Sequence, residues 1–133
     1  MPAMKKGYKA LIAEANAEIE AVTPTEAADL AKSDDVLLVD IRDVRELQRE
    51  GRIPGAIHAP RGMLEFWVDP ESPYHKEVFS SGKTFIFFCA GGLRSALATK
   101  AVQDMGLAPV KHIEGGFGAW RAAGLPVEAV PTK

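Results

Sequence analysis

The feature that most constrains this 133-residue chain is a set of short apolar runs lying between stretches of helical periodicity. Val36-Leu37-Leu38-Val39 and Phe85-Ile86-Phe87-Phe88 carry no polar residue at any position. A strand with one wet face alternates apolar with polar; a strand apolar throughout is buried on both faces, as in a parallel sheet covered by helices. The second run is read as a strand over 84–88. Val110 to Ile113 is one more strand, and the turn Pro54-Gly55 leads into a short strand near Ile57.

Helix signals fill the intervals. Thr23-Pro24-Thr25-Glu26 has the form of a capping box with proline at the first helical position, and predicts a helix to about Lys32. Asp43 and Glu46 form a second box for a helix to about Glu50, ended by Gly51. From Arg94 to Met105 the residues Leu97, Ala98, Ala101, Val102 and Met105 share one face, and Gly106 closes the helix. A last helix is expected from about Phe117 to Ala123, and residues 60–83 read as loop and short helices. Strands alternating with helices predict an α/β domain: three layers, with a central, mainly parallel sheet flanked by helices.

An amphipathic helix is expected over 4–21, on a stripe in which Met4, Tyr8, Leu11, Ile12, Ala15, Ile19 and Val22 recur at three- and four-residue steps. Its lysines come early and its glutamates late, against the helix dipole, so packing of the apolar stripe must hold it. The expected organisation is an N-terminal helical extension over 1–22, one domain over 23–128 and a loose tail over 129–133.

Composition narrows the function. Sixteen Lys and Arg stand against 18 Asp and Glu, a formal net charge of -2, so nucleic acid is not an expected partner. No apolar run approaches the ~20 residues of a membrane span. Glutamates 14, 18 and 20 fall where a signal peptide needs an apolar core, so the expectation is a cytoplasmic protein with no membrane partner. The histidines His58, His75 and His112 lack metal-ligand spacing and are given no catalytic role. No nucleotide motif is present, so neither metal nor cofactor is expected.

The chain has one cysteine, Cys89, which excludes an internal disulfide, a multi-cysteine zinc site and an iron–sulfur cluster. A lone cysteine is commonly a small buried apolar residue. Cys89, however, directly follows the second apolar strand and precedes Ala90-Gly91-Gly92-Leu93-Arg94-Ser95, with a helix beginning near Arg94. In open α/β sheets ligands bind at the carboxyl ends of strands. A glycine-containing loop there can turn successive N–H groups onto one point, and a helix start adds its positive end. A thiol so placed, at the mouth of the domain, is favoured as thiolate, its reactive form.

With these residues in view, the chain resembles the rhodanese-like family over roughly Thr23 to Val127. Leu38-Val39-Asp40-Ile41-Arg42-Asp43, running on to Gly51-Arg52-Ile53-Pro54-Gly55-Ala56-Ile57-His58-Ala59-Pro60, looks like the family's first block. The loop Cys89 to Ser95 looks like its active-site loop, and Ile113-Glu114-Gly115-Gly116-Phe117-Gly118-Ala119-Trp120 with Gly124-Leu125-Pro126-Val127 like its C-terminal signature. The resemblance implies a single-domain sulfurtransferase. Cys89 would attack the outer sulfur of a donor such as thiosulfate, mercaptopyruvate or a persulfide, become a persulfide, and pass that sulfur to cyanide or a thiol. Ala90, Gly91, Gly92, Leu93, Arg94 and Ser95 would form the anion cradle, with Arg94 assisting.

Related arsenate reductases and cell-cycle phosphatases carry five residues between cysteine and arginine; here there are four. The shorter loop resembles the sulfurtransferase form. Thiosulfate-using members often place a basic residue after the cysteine, whereas this chain has Ala90, and Arg52 stands where many members have histidine. The low loop charge also motivates a different class of function: a persulfide carrier or a redox- or sulfur-sensing module that engages an acceptor protein. Asp40, Arg42 and Arg61 are candidate pocket-rim residues; for Asp40 and Arg42 the other reading is an ion-paired brace between loops, and for Arg61 a solvated arginine. Ser95 lies close enough to hydrogen-bond the sulfur, and Thr99 one turn later is expected to pack. Met63, Leu64, Phe66 and Trp67 form an apolar insert that walls the pocket, binds an acceptor protein or simply packs.

Overall fold

The computed structural model describes residues 4–131. Eleven elements follow one another: α1 (Tyr8–Glu18), β1 (Glu20–Val22), α2 (Pro24–Leu30), β2 (Val36–Asp40), α3 (Val44–Glu50), β3 (Ile57–His58), α4 (Leu64–Val68), β4 (Thr84–Phe88), α5 (Leu93–Asp104), β5 (Val110–Ile113) and α6 (Gly116–Ala122). Two short 3-10 turns, Arg61–Met63 and Glu77–Ser80, complete the long middle segment. The five strands form one sheet in the order β1-β5-β4-β2-β3, and every pairing is parallel.

The apolar runs occupy its centre, as expected of strands covered on both faces. Alternate residues of β4 serve two cores. Phe85 and Phe87 join Val39, Ala98 and Val102 on one face, while Ile86 and Phe88 join Leu38, Ile113, Phe117 and Trp120 on the other. Both capping boxes form: Thr23 Oγ1 accepts from the Glu26 N–H at 3.1 Å, and the Asp43 N–H donates to Glu46 Oε2 at 2.9 Å. These boxes set where α2 and α3 begin.

The N-terminal segment departs from the expected helix over 4–21. The helix spans Tyr8–Glu18, and Ile19 turns extended so that β1 can pair with β5 as an edge strand. Ladder bonding and the burial of Val22 outweigh continued helical periodicity there. Of the expected stripe, Ala15 is buried, whereas Met4, Tyr8 and Leu11 are exposed. The Glu18 carbonyl accepts from Gln103 Nε2 at 2.8 Å, which ties the end of α1 to α5.

On α5 the buried residues are Ser95, Ala96, Ala98, Thr99 and Val102, and Met105 is exposed. The buried stripe is rotated from the expected one because the first turn of α5 is pressed against the Cys89 loop. Of the expected tail, residues 129–131 have no regular structure, and 132 and 133 lie outside the described residues, as do 1–3 of the expected extension. Among the described residues no helix is long and apolar enough to cross a membrane.

Candidate active site

Cys89 is the first residue after β4, at the carboxyl end of a central strand. Its Sγ accepts from the Gly92 N–H at 3.1 Å and from the Ser95 N–H at 3.4 Å. Ser95 is the third residue of α5, so its N–H has no partner within the helix. The sulfur serves as the missing acceptor and sits on the positive end of a 12-residue helix.

Two glycine positions make this geometry attainable. Gly92 adopts φ +98°, and a Cβ there would lie 3.3 Å from the Gly115 nitrogen. Gly116, at φ +60°, comes so close to the loop that a Cβ would lie 2.4 Å from the Cys89 carbonyl oxygen. The start of α6 therefore rests directly on the cysteine loop. The Phe117 N–H donates to the Cys89 carbonyl at 2.8 Å, and the Gly118 N–H to the Ala90 carbonyl at 3.0 Å.

Cys89 is 1% exposed. The expectation of a sulfur open at the mouth is corrected: Sγ turns inward under the loop toward the two amides, and the residue joins the core cluster that holds Ile41 and Ala98. Of the six expected cradle residues, Gly92 and Ser95 bring N–H groups to Sγ. Ala90 is fixed through its carbonyl, Gly91 is exposed, and Leu93 is half exposed.

Arg94 stands near the sulfur but is engaged by Glu46. Its Nη1 donates to Glu46 Oε2 at 2.8 Å and its Nη2 to Oε1 at 3.0 Å. The Glu46 carboxylate holds this guanidinium above the usual arginine range, with a smaller contribution from Cys89. The same fork brings the Glu46 carboxyl down to about 2, with the Asp43 N–H assisting against burial. The cation of the loop is thus balanced by a carboxylate from α3.

Asp40 and Arg42 do not stand at a rim. Arg42 Nε donates to Asp40 Oδ1 at 3.0 Å and Nη2 to Oδ2 at 2.8 Å, and both residues are buried. Nη2 also donates to the Gly51 carbonyl at 2.9 Å, and the guanidinium lies 4.0 Å from the Phe117 ring centre. The pair is an internal brace linking β2, the end of α3 and α6. Arg61 likewise lies outside the cradle, since its Nη1 donates to Glu65 Oε1 on α4 at 2.8 Å. In the apolar insert Leu64 is buried, Trp67 packs on the core, and Phe66 is exposed.

Sequence reasoning gave His112 no role, but the structure places its Nδ1 3.0 Å from Ser95 Oγ, which lies 3.6 Å from Cys89 Sγ. No local pattern carries the signal: the register of β4 with β5, in which His112 pairs with Phe87, puts His112 on the α5 side of the sheet with Phe87 and Cys89. Burial holds the imidazole below its ordinary range against a smaller opposing pull from Glu114. Beside it lies a recess of about 440 Å³ lined by Ile12, Asn16, Ala21, Gly91, Glu114 and His112, among others. A larger apolar groove, about 660 Å³, runs between α2 and α6 along Leu38, Ile53 and Trp120 and does not reach the sulfur.

The chain matches a family model for the rhodanese-like domain over residues 23–123. It is 34% identical to a sulfurtransferase of Allochromatium vinosum over 100 residues, which covers 75% of this chain and 85% of that one. Among solved structures it superposes with a TM-score of 0.92 on a Rhodopseudomonas palustris protein of unknown function described as a possible tyrosine phosphatase. That protein is 60% identical, with 96% of this chain and 99% of that one covered. A homodimeric polysulfide-sulfur transferase of Wolinella succinogenes is 30% identical with a TM-score of 0.71, over 92% of this chain and 88% of that one. With a central parallel sheet, a cysteine loop between β4 and α5 and a family match that covers most of its length, the chain belongs to the rhodanese-like domain family.

Proposed function

We propose that this protein transfers sulfane sulfur through a persulfide on Cys89. The observation that carries the reading is the convergence of the Gly92 and Ser95 N–H groups on Sγ at the start of α5. Such N–H groups are aimed at negative charge on the sulfur and are in place before any sulfur donor arrives.

The reaction has two halves. The Cys89 thiolate attacks the outer sulfur of the donor, a new S–S bond forms, and the donor's own bond to that sulfur breaks. The leaving group departs with the electron pair, as sulfite from thiosulfate, a thiolate from a persulfide, or the enolate of pyruvate from mercaptopyruvate. An acceptor, cyanide or a thiol, then attacks the terminal sulfur and regenerates the thiolate. Because Cys89 is 1% exposed, only a slim group ending in the sulfur to be moved reaches it.

Donor preference follows from charge. Ala90 adds no cation and Arg94 is balanced by Glu46, so a neutral or monoanionic persulfide is favoured over dianionic thiosulfate. The Wolinella relative, described as a polysulfide-sulfur transferase, supports a sulfane-sulfur chain in place of thiosulfate as the donor. A lone nucleophilic thiol that must stay reduced suits the cytoplasm. The same charge balance fits a carrier that hands its sulfur to an acceptor protein instead of turning over with small acceptors.

The Rhodopseudomonas relative raises tyrosine phosphatase activity as a second reading. Four residues between Cys89 and Arg94, and an arginine bound to Glu46, argue for a single sulfur over a tetrahedral phosphate. The test is thiocyanate release with each donor and cyanide, beside hydrolysis of an aryl phosphate. Thiocyanate release that vanishes in Cys89→Ser supports sulfur transfer; phosphate release without thiocyanate overturns it.

A further inference from the structure

We propose that His112 is a positioning residue for the Cys89 thiol, taking its proton through Ser95 and releasing it to the recess beside β1. The inference rests on the reading of Cys89 as the nucleophile. Three side chains form the path: Cys89 Sγ lies 3.6 Å from Ser95 Oγ, and Ser95 Oγ lies 3.0 Å from His112 Nδ1. The imidazole is 4% exposed, and its Nε2 has no hydrogen-bond partner among the described residues. The residue lines the 440 Å³ recess, so water there is its available partner.

The step balances. In the resting state the Cys89 S–H donates to Ser95 Oγ, and the Ser95 hydroxyl donates to Nδ1. On ionisation the S–H bond breaks and its proton binds Ser95 Oγ. The former Ser95 O–H bond breaks and an N–H bond forms at Nδ1. The sulfur keeps the electron pair and is now bonded by the Gly92 and Ser95 amides and by the Ser95 hydroxyl. The imidazolium so formed stays paired with the thiolate through Ser95, which holds the sulfur ionised near neutrality, and Nε2 gives its proton to water in the recess as the pH rises. No electron leaves the site and no co-reactant is needed.

The groups around the imidazole permit this. Glu114, from the turn after β5, is the charged residue that acts on it. Cys89 faces it through Ser95. Phe87 on β4, Ala21 on β1, and Ile12 and Asn16 on α1 carry no ionisable group. Burial keeps His112 neutral near pH 7, the form able to accept.

The test is the rate of Cys89 alkylation by iodoacetamide, read by intact mass from about pH 5 to about pH 9 in the full chain. His112→Asn and His112→Gln keep a hydrogen-bonding group but cannot titrate. Both are expected to react roughly tenfold more slowly near neutrality and to converge with wild type at the alkaline end, where solvent takes the proton. Ser95→Ala should slow the reaction similarly, and its combination with His112→Asn should slow it no further. An unchanged profile, or a loss equal at every pH, overturns the inference. A second readout leaves His112 intact: its ring proton shifts, followed by NMR, should titrate at a different pH in Cys89→Ser, and an unmoved curve overturns it. Alkylation needs no sulfur donor. Persulfide formation with a profile that His112→Asn leaves unchanged overturns this inference and spares sulfur transfer; a His112-dependent profile with no persulfide does the reverse.

Discussion

Arg94 and Glu46, 48 residues apart in sequence, meet in a two-pronged ion pair at 2.8 and 3.0 Å. The pair ties the first turn of α5, which carries the cysteine loop, to the first turn of α3. It also takes up the positive charge that the loop would otherwise offer to a donor.

The Glu46 carboxyl, lowered from 4.5 to about 2 chiefly by the Arg94 hydrogen bonds, gives this pair a pH signature. A depressed folded-state value means that stabilisation is complete above about 4.5 and is lost as pH falls through about 2. Glu46→Gln should therefore unfold at a lower temperature than wild type at pH 6, and the gap should close as pH falls toward 2. Thermal unfolding followed by circular dichroism across that range checks it. A gap that stays constant contradicts the assignment.

Releasing or adding charge should change donor choice. Ala90→Lys places a cation beside Sγ, where family members that use thiosulfate often have one. Its KM for thiosulfate should fall by roughly fivefold, in keeping with the ~1 kcal/mol of a single charge pair near a wet surface. The KM for an organic persulfide, which carries at most one charge at its sulfur chain, should change less, by about twofold or under. Steady-state assays with both donors decide it, and equal changes for the two donors contradict the charge argument.

The Asp40–Arg42 brace is a matter of stability. Both residues are buried, and removal of one leaves an unpaired charge inside. Asp40→Asn should cost about 3 to 5 kcal/mol in denaturant unfolding. A change below about 1 kcal/mol, the size of a surface pair, would show that the brace is solvated in solution.

Gly116→Ala tests the contact between α6 and the loop. A Cβ at 2.4 Å from the Cys89 carbonyl oxygen must displace either the loop or the helix. The expected cost is about 1 to 3 kcal/mol, with slower alkylation of Cys89 as its amide donors move. Gly55→Ala, at φ +83° but with open space around its Cβ, carries backbone strain alone and should leave the alkylation rate unchanged. Equal alkylation rates in both variants would contradict the proposed contact.

Much of this framework was legible because its determinants are local. The positions of β2 and β4 follow from unbroken apolar runs, and the starts of α2 and α3 from capping boxes whose partners lie three residues apart. β1 was not legible, since its three residues gain strand geometry only from β5, 91 residues away at Glu20 and Lys111. The Arg94–Glu46 pair and the Ser95–His112 contact escaped for the same reason. Each depends on which strand lies beside which, information that a local pattern does not carry. Glu46 was read only as a cap, and it serves both as a cap and as the partner of Arg94.

The most direct test of the account is the intact mass of the protein after brief exposure to a polysulfide donor. The account predicts a gain of one sulfur atom that a reductant removes, that cyanide discharges as thiocyanate, and that is absent in Cys89→Ser. A wild-type mass that stays unchanged, while the same donor loads a rhodanese run alongside, would contradict it.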